Sequence, residues 1–472
     1  MNIVLPGNPR YQPKQLVPVF GYDNLYRTVA EVELATLDVL GEIGVIPFDE
    51  IAFLTTKKRE EVLSIPTSEV DRIERQITNH DIRAWAERAK EILPQSLGRW
   101  IHIPLTSYDP LSTGRVLQFI RAHNDVLRPS TTNVVSIFAD MVRRFADVIQ
   151  IGRTHGQHAL PITVGFWFAT ILDRIIRNAV EMNRFASALE GKISGAVGAH
   201  NAQYGLQFSD RCGETSFEDR ILNRLGLKSA PISTQILPPE GLAYYLHSCV
   251  MMSAALAQFG CDGRHLMRSE IGEVIEAVED QGGSSTMAHK INPIKFENLQ
   301  GMWIKNNNEY GKVMDTLISE HQRDLVSSCV ARDFPIIMVN LQQQFNTLLR
   351  ENERGLSWLA RVTVNEEALT RNFAMSAGVI LAEPMYIALE MAGYRGAHKL
   401  INKILVPRAW ASGTPLLEVL KQHSESDPDV AEAVERIPED ILELLEHPER
   451  YIGDAKERAL AIAKCAEQHI AV

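Results

Sequence analysis

The 472-residue chain is poor in cysteine, and its cysteines are not paired. Cys212, Cys249, Cys261, Cys329 and Cys465 are scattered. An odd number of dispersed thiols with no C-x-x-C spacing excludes a disulfide framework and points to a reducing compartment, with the cytoplasm the expected location. Long apolar runs are missing too. The stretch Cys249-Val250-Met251-Met252 is soon broken by Ser253 and Gln258, well short of the roughly 18 residues a membrane helix needs. Met1 to Lys14 lacks a basic segment followed by an apolar one, so it does not read as a secretory signal. There is no excess of positive charge: 48 Lys and Arg stand against 59 Asp and Glu, a net charge of −11. That balance carries no footprint for a nucleic-acid polymer and leaves room only for local phosphate pockets. Strand-type alternation is nearly absent apart from short pieces such as Trp100 to Leu105. No internal repeat, low-complexity tract or flexible linker occurs.

What is present is an ordinary globular composition, 45% hydrophobic and 23% charged, on a chain long enough for more than one core. The helical period of three to four residues dominates. Phe166, Ile171, Leu172, Ile175, Ile176, Ala179, Met182, Phe185 and Leu189 trace one apolar face. A second pattern runs from Leu242 to about Val278, a rod of about 55 Å if unbroken, with Gly260 and Gly263 as places for a bend. Two more run from Val134 to Ile149 and from Phe296 to Ile318. Pro104 and Pro110 bracket a loop, Arg361 to Glu366 reads as a junction, and Pro428, Pro438 and Pro448 separate shorter helices. The expectation is an all-α chain in three parts: an N-terminal helical domain (1–109), a central bundle of long helices (110–363) and a C-terminal helical domain (364–472).

One loop stands out. Gln281-Gly282-Gly283-Ser284-Ser285-Thr286-Met287-Ala288-His289-Lys290-Ile291-Asn292-Pro293 interrupts two helical patterns. Its glycines and serines give the backbone freedom, and Pro293 suits the start of the next helix. Hydroxyls, a cation and an amide together could take a proton and stabilise a developing oxyanion. A second string, Gly152-Arg153-Thr154-His155-Gly156-Gln157, precedes another long pattern. His155 and His158 have metal-like spacing, but no third ligand lies at a fitting distance in sequence, so no metal is expected.

The loop resembles the G-S-S-x-M-P-x-K-x-N-P signature of the fumarase/aspartase superfamily, with Ala288 in the place of a proline, and the second string resembles that superfamily's T-H-x-Q element. Further strings are similar to the adenylosuccinate lyase family. They are Pro9-Arg10-Tyr11, Asn79-His80-Asp81, His102 with Thr106-Ser107, the run from Leu225 to Gln235, and His321-Gln322-Arg323-Asp324 followed by Ser328 and Arg332. The resemblance extends to Pro448-Glu449-Arg450-Tyr451-Ile452-Gly453, nearly the whole chain. It implies a general base at Ser284 and a general acid at His155. It implies substrate contacts from Arg10, Tyr11, Asn79, His80, Asp81, His102, Thr106, Ser107, Thr154, Gln235, Ser285, Lys290, Asn292, Glu297, Asn298, Arg323, Ser328 and Arg332. It also implies a small-molecule nucleotide substrate, no metal or organic cofactor, no membrane partner, and a homotetramer whose active sites are shared between subunits.

The departures are as specific as the matches. Pro238-Pro239 stands where relatives often carry Arg-Asp or His-Asp. Val326, Ser327 and Ala331 replace more polar or acidic residues, and Ser112 holds a place where aspartate is common. Three rivals follow: a lyase for another fumarate adduct such as argininosuccinate, a scaffold that kept the fold without catalysis, and a nucleotide-binding regulator. Other residues take plainer expectations. Trp100, Trp167 and Trp303 fall on apolar patterns and are expected in the core. His247, His265 and His469 carry no motif, and the acidic tail from Glu425 to Glu449 reads as a solvated helical face without metal spacing.

Overall fold

The computed structural model describes residues 12–283 and 286–470, without the side chains of 469 and 470. The fold is all-α with a bundle of long helices, as expected. The longest are Glu240–Leu266, Val164–Ser187, Ile294–Asp315 and Arg128–Arg144. Contacts divide the chain into two compact units. One comprises Met1–Thr131, Arg177–Ala257 and Leu299–Thr347, the other Thr132–Ile176, Gln258–Asn298 and Leu348–Val472. Each boundary falls inside a long helix. The three-part division along the sequence is a different cut and stands as a proposal.

The helix Val164–Ser187 forms where the 3.6-residue period places Ile171, Leu172, Ile175, Ile176, Ala179 and Met182 on one buried face. Its first turn needs Gly165, because a Cβ there would come within 2.7 Å of the Val142 carbonyl. The second pattern stops earlier than expected. The helix ends at Leu266, about 40 Å long, and the chain then turns through Gly272, whose φ is +63°. The helix runs without a break through Gly263. A Cβ there would meet the Phe296 ring at 2.2 Å, so the glycine serves close helix approach.

In the second unit this approach feeds an aromatic core. The Phe259 ring lies 5.1 Å from Phe138 and 5.2 Å from Phe296, which lies 5.0 Å from Trp358. Phe138, Phe259, Phe296 and Trp358 are all fully buried. The C-terminal helices close a separate apolar cluster around Leu389, Ile401, Leu405 and Leu420. Pro428, Pro438 and Pro448 sit at helix starts there, where a missing N–H costs nothing. In the first unit, Phe119 packs between Phe20 and Tyr245.

Strands are few and short. Ile149–Thr154 pairs antiparallel with Gln157–Thr163, Val274–Ile275 with Thr363–Val364, and Gly282–Gly283 with Ile291–Asn292. The first pair corrects the expected helix from Val134 to Ile149, which ends at Arg144. Trp100 to Leu105 forms turns and no strand, since His102 has a φ of 68° and Pro104 offers no backbone donor. Pro110 lies in the first turn of the helix Tyr108–Ala122. Trp167 is buried, but Trp100 and Trp303 are only half-buried. The Trp100 indole N–H donates to Glu50 at 2.9 Å and keeps that edge near the surface. His247 and His265 are exposed, and the His469 side chain lies outside the described residues. No single helix among the described residues is long and apolar enough to cross a membrane.

Candidate active site

His155 occupies the tip of the longest hairpin, between strands that meet at Thr154 and Gln157. His155 and Gly156 both have positive φ, 53° and 75°. A two-residue turn of this kind normally takes Asn-Gly. The His155 side chain is exposed and has no hydrogen bond to another described residue. Its neighbours hold the hairpin instead. Arg153 donates twice to Glu273, at 2.6 and 3.0 Å. Glu273, fully buried, also accepts from Gln150 at 2.9 Å and Asn372 at 2.8 Å. A carboxylate with four charge-assisted or amide bonds fixes the base of the hairpin while leaving its tip free. His158 is turned to a different use. Its Nδ1 lies 2.7 Å from Ser376 Oγ, and burial, then the Arg153 charge, hold its imidazole below the ordinary value.

The signature loop is also anchored at its base. Asp280 accepts from Arg361 Nε at 2.8 Å and Nη2 at 2.6 Å, and Lys295 donates to its carbonyl at 2.7 Å. Gln281 donates to the Glu276 carbonyl, and the buried Glu276 carboxyl accepts from the Trp358 indole at 2.7 Å. Burial pushes that carboxyl above its usual range, against the pull of Lys295. Beyond these clamps Gly282 pairs with Asn292 and Gly283 with Ile291. A Cβ on Gly282 would sit 2.4 Å from the Ile294 side chain, so close passage requires glycine. Lys290 is exposed and its side chain has no partner among the described residues, Asn292 is half-buried, and the amide of Glu297 donates to Pro293 as the next helix begins. Glu297 is exposed and its neighbour Asn298 half-buried. Ser284 and Ser285, like Arg10 and Tyr11, lie outside the described residues.

The first unit assembles a second group of expected residues. His102 donates its amide to Glu33 at 3.0 Å, and its Nδ1 lies 2.7 Å from the same carboxylate. Burial pulls that imidazole down, but the bond and charge of Glu33 outweigh it and raise the pKa. His80 Nε2 lies 3.5 Å from Ser107 Oγ, and its Nδ1 lies 3.3 Å from Asp81. Thr106 donates its amide to Asp109 at 2.8 Å. Asp109, fully buried, also takes the Lys192 ammonium and the Gly195 amide. Far along the chain, Arg323 donates to Gln235 at 2.7 Å and stacks on the ring of Tyr108, the neighbour of Asp109, 3.4 Å from its centroid. The Tyr108 hydroxyl lies 3.0 Å from Ser328 Oγ. Arg323 Nη2 is buried with no hydrogen-bond partner among the described residues. Arg332 is exposed on the same segment.

Within this unit the structure therefore brings His80 to Ser107, and Gln235 and Arg323 to Ser328 through Tyr108. The supporting residues Glu33, Tyr108, Asp109, Lys192 and Glu273 were not singled out from the sequence. Tyr108 and Asp109 directly follow the Thr106-Ser107 match and offered a signal. Among the described residues no group of three or more His, Cys, Asp or Glu side chains is placed to hold a metal. Backbone strain marks the same motifs. Six described non-glycine residues have positive φ, and four of them, Asn79, His102, His155 and His321, fall in expected site strings. Such conformations persist where surrounding structure over-determines them, often at functional sites.

An exposed imidazole at the tip of an anchored hairpin and a cation-bearing loop clamped at its base are thus carried on an all-α fold of long helices. The family profile described as lyase matches residues 40–305. The chain belongs to that lyase family, within the fumarase/aspartase superfamily, and is an enzyme. It is 30% identical to adenylosuccinate lyase of Pyrococcus abyssi (strain GE5 / Orsay) over 461 residues, covering 96% of each chain. It is 29% identical to adenylosuccinate lyase of Archaeoglobus fulgidus over 470 residues, covering 98% of each. Among solved structures, 3-carboxy-cis,cis-muconate lactonizing enzyme from Pseudomonas putida superposes with a TM-score of 0.80 at 21% identity, over 97% of this chain and 98% of that one. Fumarate lyase from Mesorhizobium sp. BNC1 gives 0.79 at 22% identity, over 97% and 100%. These structural likenesses concern the fold.

Proposed function

We propose that this enzyme removes fumarate from adenylosuccinate by β-elimination, leaving AMP. We propose that it likewise cleaves the succinylated imidazole carboxamide ribotide SAICAR to AICAR in purine nucleotide biosynthesis. The observation that carries the reading is the corner formed by Gln235, Arg323, Tyr108 and Ser328. A stacked guanidinium with a buried, unpartnered nitrogen beside two hydroxyls suits a phosphate oxygen. A fumarate adduct such as argininosuccinate brings no phosphate to that corner. The relatives named adenylosuccinate lyase support the same substrate.

In the proposed reaction Ser284, as its alkoxide, takes the proton from the carbon next to a substrate carboxylate. The electron pair spreads into that carboxylate as a dianion held by Lys290 and Asn292. It then forms the carbon–carbon double bond as the carbon–nitrogen bond breaks, and His155 gives a proton to the departing nitrogen. Thr154, Ser285, Glu297 and Asn298 surround these groups in sequence. Asn79, His80, Asp81, His102, Thr106 and Ser107 hold the substrate, and Arg10, Tyr11, Arg323, Ser328 and Arg332 its phosphate.

We further propose a cytoplasmic homotetramer with shared sites. Val180, Tyr244, Met251 and Ile304, on three long helices, are each about half exposed, and apolar positions of this kind suit subunit packing. The deciding experiment is turnover of purified protein on adenylosuccinate, with AMP and fumarate identified by chromatography and with SAICAR and argininosuccinate in parallel. Cleavage of the first two alone is expected. Cleavage of argininosuccinate, or of none by a folded protein, overturns the reading.

A further inference from the structure

A cavity of about 140 Å³ opens in the first unit behind Tyr108 and Ser328. Five of the positions at which the chain departs from the superfamily pattern line it together: Ser112, Pro238, Pro239, Ser327 and Ala331. These positions are scattered over more than two hundred residues of sequence, yet they form one wall. Each carries a small or apolar side chain, and none offers a carboxylate.

Arg115 lines the same cavity from the helix Tyr108–Ala122, two turns after Tyr108. Among the described residues its guanidinium has no ion pair or hydrogen bond. Glu190, the one carboxylate among the lining residues, makes no ion pair with it. Arg323, stacked on the lining residue Tyr108, leaves Nη2 buried and without a partner among the described residues. Burial is the main force lowering the Arg115 guanidinium from its ordinary value. Tyr108 opposes it, and the charges of Arg332 and Arg323 add to it. A guanidinium stays protonated in proteins, so three like charges share one neighbourhood. That arrangement is unfavourable unless an anion answers it.

We propose that Arg115 is a further phosphate-binding residue of this enzyme, acting with Arg323 and Ser328 from the cavity wall on the substrate's phosphate dianion. The inference rests on the nucleotide reading above and adds a residue that the motifs did not include. A dianion is the fitting occupant because its several oxygens can answer more than one guanidinium fork. The apolar remainder of the wall excludes water and strengthens the pairing. The small side chains at 112, 327 and 331 leave the Arg115 head unquenched.

The test compares Arg115→Leu and Arg115→Lys with wild type on adenylosuccinate and on its phosphate-free nucleoside, succinyladenosine. Loss of one charge-assisted contact corresponds to roughly 10–100-fold. Arg115→Leu is expected to raise KM for the nucleotide by about that factor with kcat little changed, and so to narrow the preference for nucleotide over nucleoside. Arg115→Lys is expected to restore part of it. An equal loss on both substrates would mark a structural role and overturn the proposal, as would an unchanged preference. Thermal unfolding with inorganic phosphate, against chloride at equal ionic strength, separates this idea from the function. Stabilisation by phosphate that Arg115→Leu abolishes supports the site even if neither substrate is cleaved. Stabilisation that survives the substitution refutes it even if both are.

Discussion

Replacing Glu273 by glutamine removes the charge that holds the hairpin of His155. In the native protein this carboxylate is fully buried and receives both forks of Arg153, with Gln150 and Asn372 on its remaining lone pairs. Removing one partner of a buried pair costs about 3–5 kcal/mol, because the other charge is left uncompensated. Two features reduce this. The Arg153 side chain is 15% exposed and reaches some water, and glutamine keeps one oxygen that can accept from Gln150 or Asn372, worth about 1 kcal/mol. The expected destabilisation is therefore about 2–3 kcal/mol, read as a lower urea midpoint at unchanged slope. A double-mutant cycle with Arg153→Met should show coupling above about 1 kcal/mol. Turnover should fall further than stability alone explains, since Arg153 lies two residues from His155. A loss below about 0.5 kcal/mol with normal turnover would refute the view that this pair positions the hairpin.

Three further outcomes are expected. Gly263→Ala should destabilise by about 1–3 kcal/mol, the usual cost of overpacking, because the new methyl would meet the Phe296 ring; a neutral result in thermal unfolding would show that the ring moves freely. His102 should titrate above its ordinary value by NMR, and Glu33→Gln should bring it down. Since the folded pKa is raised, the stability from this pair is fully present below about pH 6.5 and is lost as pH rises through the folded value, so a Glu33→Gln penalty that grows with pH would contradict the assignment. His155→Ala and Ser284→Ala should each lower kcat roughly 10²–10⁴-fold, and mixing the two inactive proteins should restore partial activity if one site draws on different subunits. Normal turnover in either, or no recovery after verified subunit exchange, would remove the corresponding claim.

Long amphipathic helices were legible because their signal is local and repeated, as along Ile171, Leu172, Ile175 and Ala179. Their ends were less so. The stop at Leu266 depends on a turn through Gly272 that delivers Glu273 to Arg153, an event no apolar pattern announces. The hairpin at Ile149–Thr163 escaped notice because Pro161 and the polar tip obscure its alternation. Site strings such as the signature loop could be read directly, being contiguous. Their supports could not. Glu33 lies 69 residues from His102, Asp109 lies 83 from Lys192 and Glu273 lies 120 from Arg153, and no local rule pairs residues at such separations.

The left-handed residues of the site set its durability against its work. An L-residue held at positive φ costs about 1–2 kcal/mol that glycine does not incur. A screen that rewarded heat resistance and ignored turnover would therefore drift toward glycine at Asn79, His155 and His321. His155 is the clearest case, exposed and with no side-chain bond to another described residue. Positions where survival on heating improves while catalysis collapses would thus outline the working surface of this enzyme without any substrate in hand.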